Sequence, residues 1–287
     1  MDRSDLLQEV KEYFSNSDHW RRLCAALQDP DPQGSHIHSY VETSVHPDSI
    51  EAIMVEYFNR MGCPSARKID HMSPKKGVGA LHGVEPKGKP HFDFHWVFRK
   101  DVGFRASEGG ESGCNLCVWN RWYINQFYTQ FPFRKVGSAE EKALESYFKS
   151  DHFPKGAEFA VKPTTTHIHI NIHSSVHPDY IQKYAEGALK REGKEIYYTC
   201  PNVYLVDNKY RGKLVFMGKK PEAVFDIGWK FTPEVVIEPA MEPWIFTEDP
   251  GYDVWTSDML AEVMKEDYVR LSKDEVQEVI KACRFRE

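Results

Sequence analysis

One segment of this chain is written twice, and that duplication constrains the fold more than any other feature. Residues 36–50 read HIHSYVETSVHPDSI, and residues 167–181 read HIHINIHSSVHPDYI. His36, His38, His46, Pro47 and Asp48 recur at one constant spacing as His167, His169, His177, Pro178 and Asp179. The match extends outward. VKEYFSNSDHW (10–20) corresponds to ALESYFKSDHF (143–153), and Gly62 to Gly193. GKP (88–90) corresponds to GKKP (218–221), and FDFHWVF (92–98) to FDIGWKF (225–231). Self-similarity on this scale means two copies of one folding unit. We place them at 1–137 and 138–287, with the polar stretch RKVGSAEE (134–141) as the joint.

Within each copy the patterns give an order of elements. An amphipathic helix comes first, then a loop, then a histidine strand at about 36–43 or 167–174. Strand alternation puts His36, His38, Tyr40 and Glu42 on one face, and His167, His169, Asn171 and His173 on the equivalent face. HPD follows, with Asp48 or Asp179 as the expected helix N-cap. Apolar residues at 50, 53, 54, 57, 58 and 61 keep the helical period, and Gly62 or Gly193 is the stop signal. Short strands follow, including HFDFHWVF, CVWNRWYINQFY, KLVFMG, AVFDIGWKF and EVVIEP. The sum is a helix followed by β-α-β-β-β. It predicts an α+β layer, with an antiparallel sheet carrying helices on one face.

Composition excludes several classes. A net charge of −6 and a pI near 6.1 give no field that would attract nucleic acid or an acidic membrane. No apolar run is long enough for a membrane span. MDRSDLLQEVKEYF is an amphipathic helix without an apolar signal core, so no secretory leader is expected. Cysteines 24, 63, 114, 117, 200 and 283 do not recur between copies. They read as free thiols in a cytoplasmic protein, and the lone C-x-x-C lacks a partner pair for zinc. The glycine-rich EGGESG (108–113) lacks the Lys-Ser/Thr of a phosphate cradle.

The chemistry points to the histidines. Imidazoles two apart on a strand share a side and can reach one ion, and imidazole is the most common metal ligand. In copy one a third ligand can come from His91, Asp93 or His95, and in copy two from Asp226 or His173. We select His36, His38 and His91, and His167, His169 and His173, as metal ligands. His95 is assigned as acid–base or alternate ligand and Tyr40 as a pocket hydroxyl. Imidazole plus carboxylate with open positions suits non-haem iron, or zinc with water. His46 and His177, beside Pro and Asp, read as structural residues of the turn. His19 and His152 read as helix-end residues interacting with the dipole. Trp96, Trp119, Trp122 and Trp229 read as core or as the wall of an aromatic pocket.

These residues resemble the small DOPA 4,5-dioxygenase family. His36, His38 and Tyr40 match its H-x-H-x-Y strand. Pro86, Gly88, Pro90 and His91 match a P-x-G-P-H segment, and Trp119, Asn120 and Arg121 match part of a W-x-x-x-N-R-G strand. The likeness covers about 95 residues of copy one. It implies tandem ferredoxin-like modules that pair as a dimer, either inside one chain or between chains. It also implies extradiol cleavage of a catechol-type substrate with Fe(II) and O2. The chain departs from the family near Gln126 to Pro132, where the expected His-Pro has no histidine. Copy two has Val224 and Gly228 where copy one has His91 and His95.

Three other readings fit the residues. One is a vicinal-oxygen-chelate module, although its units are about half as long. One is a zinc-dependent lyase of carbonic-anhydrase type. The last is a non-enzymatic, duplicated α+β module that binds a small aromatic ligand.

Overall fold

The architecture comes from a computed structural model of the chain. It describes all residues except 28–35, 61–65, 74–77, 84–90, 109–114, 155–164, 207–208, 219–223, 241–251, 257, 259–260, 263–267 and 284–287. Packing divides the chain into unit 1, residues 1–118 and 258–287, and unit 2, residues 119–257. The repeat boundary at 137/138 therefore does not coincide with the division by packing. RKVGSAEE lies wholly inside unit 2, and the C-terminal segment belongs to unit 1.

Unit 1 runs α1 (Arg3–Asn16), α2 (Asp18–Leu27), β1 (His36–Thr43), α3 (Pro47–Arg60), β2 (Ala66–Ser73), β3 (Val78–Gly83), β4 (His91–Phe98), β5 (Phe104–Ala106) and β6 (Leu116–Trp119). Its sheet order is β2-β3-β4-β1-β5, with β6 also pairing β1. Unit 2 runs α4 (Arg121–Tyr128), α5 (Ser138–Tyr147), β7 (Thr165–Ser174), α6 (Pro178–Arg191), β8 (Ile196–Val206), β9 (Lys209–Gly218), β10 (Val224–Phe231), β11 (Ile237–Pro239) and β12 (Tyr252–Thr256). Its order is β11-β7-β10-β9-β8, with β12 also on β7. The two topologies match strand for strand. The last helix among the described residues is α7 (Lys273–Ala282), which packs on α1 and α3.

Both sheets are mixed, which corrects the expectation of an antiparallel sheet. β1 lies parallel to β4, and β7 lies parallel to β10. The meander β2-β3-β4 returns beside β1, so the helix-bearing crossover from β1 makes its neighbour run the same way. All eight residues of β1 are buried. A strand covered on both faces is the usual setting for parallel pairing. Both faces of β1 are covered.

The repeated aromatic residues build each core. In unit 1, Phe14 and Trp20 meet edge-on at 4.7 Å, and Trp20 meets Tyr57 at 4.8 Å. In unit 2, Phe148 meets Phe153 at 5.3 Å and Phe153 meets Phe225 at 5.6 Å. Each such pair adds about 0.5–1.5 kcal/mol beyond its buried area. Trp96, Trp119 and Trp229 are buried as expected, but Trp122 is 69% exposed. It sits on α4, where a strand was expected. Asn120 starts that helix by accepting from the Tyr123 N–H at 2.7 Å, and Ile124 and Tyr128 are buried on one side.

The HPD turns use histidine rather than aspartate as the cap. His177 is the N-cap of α6, and its Nδ1 accepts from the Asp179 N–H at 3.1 Å. His46 Nδ1 accepts from the Asp48 N–H in the same way, also at 3.1 Å. Pro at the first helical position supplies φ without wasting a donor. At the far end of α6, Gly193 has φ 78°, and its N–H donates to the Lys190 carbonyl. Gly62, its counterpart, lies outside the described residues. Gly193→Ala is expected to lower stability by about 1–2 kcal/mol, because an L side chain is disfavoured in the left-handed region. A denaturant melt of the variant, unchanged from the parent, would contradict this role.

His19 is not a dipole partner. It sits in the first turn of α2, where a cation would be unfavourable. Its ring is buried between the Tyr13 hydroxyl and the Asn115 carbonyl, at 2.7 Å each. Nε2–H donates to that carbonyl, so Nδ1 accepts from tyrosine. Burial lowers the pKa of both His19 and His177 below the ordinary histidine value. Their stabilising contribution is therefore complete above about pH 6.5, the unfolded value. It declines as pH falls from there toward the folded values, because the unfolded chain takes up protons first. Thermal melts from pH 7.5 to 5.5 should show this decline, and His177→Asn should flatten it while keeping a cap. An identical slope in the variant would remove His177 from the account.

A strap crosses the exit of each histidine strand. In unit 2, Arg134 bridges Val176 and its N–H donates to the Ser175 carbonyl at 2.9 Å. Phe133 meets His177 at 4.8 Å and Phe231 at 5.5 Å. In unit 1, Val269 bridges Val45, and its N–H donates to the Ser44 carbonyl at 2.8 Å. Tyr268 meets His46 at 5.7 Å and Phe98 at 4.1 Å. Equivalent positions are thus filled from before the repeat in unit 2 and from the C-terminal segment in unit 1. A capping box of Ser272 and Glu275 then starts α7, and Arg3 pairs with Glu275 at 2.6 Å.

Cys24 and Cys283 are free and buried, and burial raises the Cys283 pKa to about 12. Cys117 is disulfide-bonded, which corrects the expectation that all six thiols are free. Among the described residues no helix is long and apolar enough to cross a membrane.

Candidate metal centres

The parallel ladder assembles the first centre. It sets His36 opposite His91, His38 opposite Asp93 and Tyr40 opposite His95. Partners across a parallel ladder face the same side, so these side chains leave one face of the sheet. His36 Nε2 stands 2.9 Å from Asp93 Oδ2, and His38 Nε2 stands 2.9 Å from the same oxygen. The two Nε2 atoms are 3.0 Å apart. His36, His38 and Asp93 are all fully buried. Three ligand-type atoms thus form a nearly equilateral triangle in the protein interior.

Two further residues surround the triangle. Tyr40 Oη lies 2.9 Å from His38 Nδ1. A bare Nε2 requires the proton on Nδ1, so Nδ1–H then donates to the phenol oxygen. Tyr40 thereby orients His38. His95 stacks on Tyr40 at 4.8 Å and 11°, and its ring is 4.8 Å from that of His38. The side chain of His91 lies outside the described residues.

The second centre repeats the triad with different contacts. His167 Nε2 is 3.1 Å from Asp226 Oδ2. His169 meets the other oxygen, Oδ1, through Nδ1. Its Nε2 stands 2.9 Å from Asn171 Oδ1. The three residues form a group able to hold an ion, as do His36, His38 and Asp93. His173 does not join them. It is four residues beyond His169 on the same strand, about 13 Å away at the usual rise. Its Nδ1 faces Glu238 at 3.4 Å, across the ladder to β11.

The aspartates were named only as options for the third ligand, yet they complete both triads. A signal was present in the sequence. Asp93 and Asp226 are the ligand-type residues of β4 and β10 that both copies keep, within FDF and FDI. The flanking partners Tyr40 and His95 become Asn171 and Gly228, which face each other in the same register.

No protein-family model matches this chain, and no curated protein matches it either.

Proposed function

We propose that the chain is a metal-dependent dioxygenase that cleaves a catechol-type ring in extradiol fashion, with Fe(II) held by His36, His38 and Asp93. The observation that carries this reading is the triangle of His36 Nε2, His38 Nε2 and Asp93 Oδ2, with edges of 2.9, 2.9 and 3.0 Å. Ligands bound at about 2.1 Å and at right angles to one another stand about 3.0 Å apart. The edges therefore suit three mutually cis positions of an octahedron. Two histidines and one carboxylate on one such face are the ligand set of non-haem Fe(II) oxygenases. When bound, the ion supplies Lewis acidity and one-electron chemistry toward substrate oxygens and O2.

The remaining work falls to the chain. Tyr40 holds the His38 ring in place. His95 stands beside the triad without belonging to it, where an imidazole can take the proton of a catechol hydroxyl. Unit 2 keeps the triad but has neither a phenol nor a second imidazole in these places, so the activity is assigned to unit 1. The ferredoxin-like module and the pairing of two units as an intrachain pseudo-dimer or a homodimer belong to this same reading.

The test is anaerobic loading of the untagged protein with Fe(II), then addition of catechol or DOPA with O2. A yellow ring-cleavage product is expected, and His95→Gln should lower turnover by about 10²–10⁴-fold at unchanged iron content. Full iron loading without product would reject the dioxygenase. Failure to bind iron or zinc would reject every metal reading.

Complete burial of the triad favours a second reading. Closed sites are typical of structural metals, whereas catalytic zinc keeps an open position. Unit 1 would then be a zinc-stabilised module that binds a small ligand without turning it over. Bound zinc, with neither ring cleavage nor CO2 hydration, would select this reading over both the dioxygenase and the zinc lyase.

A further inference from the structure

We infer that Tyr40 and Asn171 make the two centres chemically unlike, by fixing which nitrogen of the second histidine faces the ion. This rests on the metal reading above. Both residues stand two positions beyond that histidine, on the same strand face. In unit 1 the Tyr40 hydroxyl takes Nδ1 of His38 at 2.9 Å, and Nε2 turns to Asp93. In unit 2 the Asn171 carbonyl oxygen takes Nε2 of His169 at 2.9 Å, and Nδ1 turns to Asp226.

The ring orientations set this difference. An amide oxygen only accepts, so His169 Nε2 carries a proton. That leaves Nδ1, on the Asp226 side, as the nitrogen that would meet an ion. The ladder partners maintain the difference. His95 stacks on Tyr40 and holds the phenol, whereas Gly228 opposite Asn171 offers no ring.

The carboxylates differ accordingly. Asp93 turns a single oxygen to both histidines, leaving one position for each of three ligands. Asp226 gives one oxygen to each histidine, Oδ2 to His167 and Oδ1 to His169. A carboxylate spanning an ion in this way takes two positions and leaves fewer for substrate. The first centre is an Nε2, Nε2, O site open to a chelating ligand. The second is an Nε2, Nδ1, O, O site that retains a divalent transition metal as a spectator.

The full chain, labelled with ¹⁵N-histidine and loaded with Zn(II), tests this by long-range ¹H–¹⁵N correlation. His38 should bind zinc through Nε2 and carry its proton on Nδ1, while His169 shows the reverse. Tyr40→Phe keeps the stacked ring but loses the acceptor. It should weaken zinc binding at the first centre by about 10–100-fold and leave the second unchanged. Asn171→Leu should do the opposite. Zinc on the same nitrogen of both rings would overturn the inference, as would variants that leave both affinities unaltered. Absence of any zinc-shifted ring nitrogen in the parent protein would overturn the metal reading itself, and this inference with it.

Discussion

Asp93→Asn is expected to abolish metal retention at the first centre and to lower ring-cleaving turnover at least about a hundredfold, since even residues that only orient ligands cost 10–100-fold. The substitution preserves shape but replaces an anionic ligand with an amide. The amide would point either a neutral oxygen or an N–H group at two imidazoles. Stability should respond in a characteristic way. Without metal, Asp93 Oδ2 lies 2.9 Å from both His36 Nε2 and His38 Nε2, so the variant loses a buried charged contact and should unfold earlier than the parent. With zinc at a thousandfold excess over its Kd, the parent should gain about 4 kcal/mol from that site and the variant none of it. Asp226→Asn should keep most of the turnover. Thermal melts with and without zinc, run beside the activity assay, decide the matter. Equal zinc stabilisation of Asp93→Asn and the parent would mean that Asp93 is not a ligand.

Ile280→Ala carries the second large effect. Ile280 is fully buried on α7, at the end of the chain, yet α7 packs on α1 and α3 near its beginning. Truncating a buried isoleucine to alanine costs about 2–5 kcal/mol. The loss should fall unevenly. Hydrogen exchange is expected to quicken in α1, α3 and β1 while the strands of unit 2 keep their protection. Arg3–Glu275 and Lys11–Glu278 are exposed ion pairs at 2.6 Å each and should matter far less. Faster exchange confined to β7–β10 would show that the C-terminal segment is not part of unit 1.

Much of the site could be read from the residues because the relevant signals are local. H-x-H on a strand puts two imidazoles on one face by the geometry of the pleat. The HPD turn follows from proline at the first helical position and a polar side chain before it. Aspartate is the commoner cap, but in both turns the preceding histidine accepts from the free N–H. The residue that joins the two histidines was less legible. Within HFDFHW the alternation places His91, Asp93 and His95 on one face equally well, and only the ladder register sets Asp93 opposite His38. His173 looked plausible because it shares a face with His169, but a shared face does not shorten the distance along a strand. CVWNRWYINQFY read as a strand from its aromatics. Tertiary packing made most of it a helix, with Asn120 as its cap.

The order of residues alone establishes that one unit occurs twice, that each copy carries a histidine pair on a strand, and that the surrounding residues differ between copies. These follow from repeat spacing and from the two-residue period of a strand. Long-range pairing sets β4 and β10 parallel to the histidine strands, because strand direction depends on how a distant meander returns. The same pairing decided that aspartate closes each triad and that Tyr40 and Asn171 turn their histidines opposite ways. It also decided that the last helix of the chain completes the first unit. Nothing local to residues 268–282 names their partner, since what they match is a buried surface formed by residues far away in the chain.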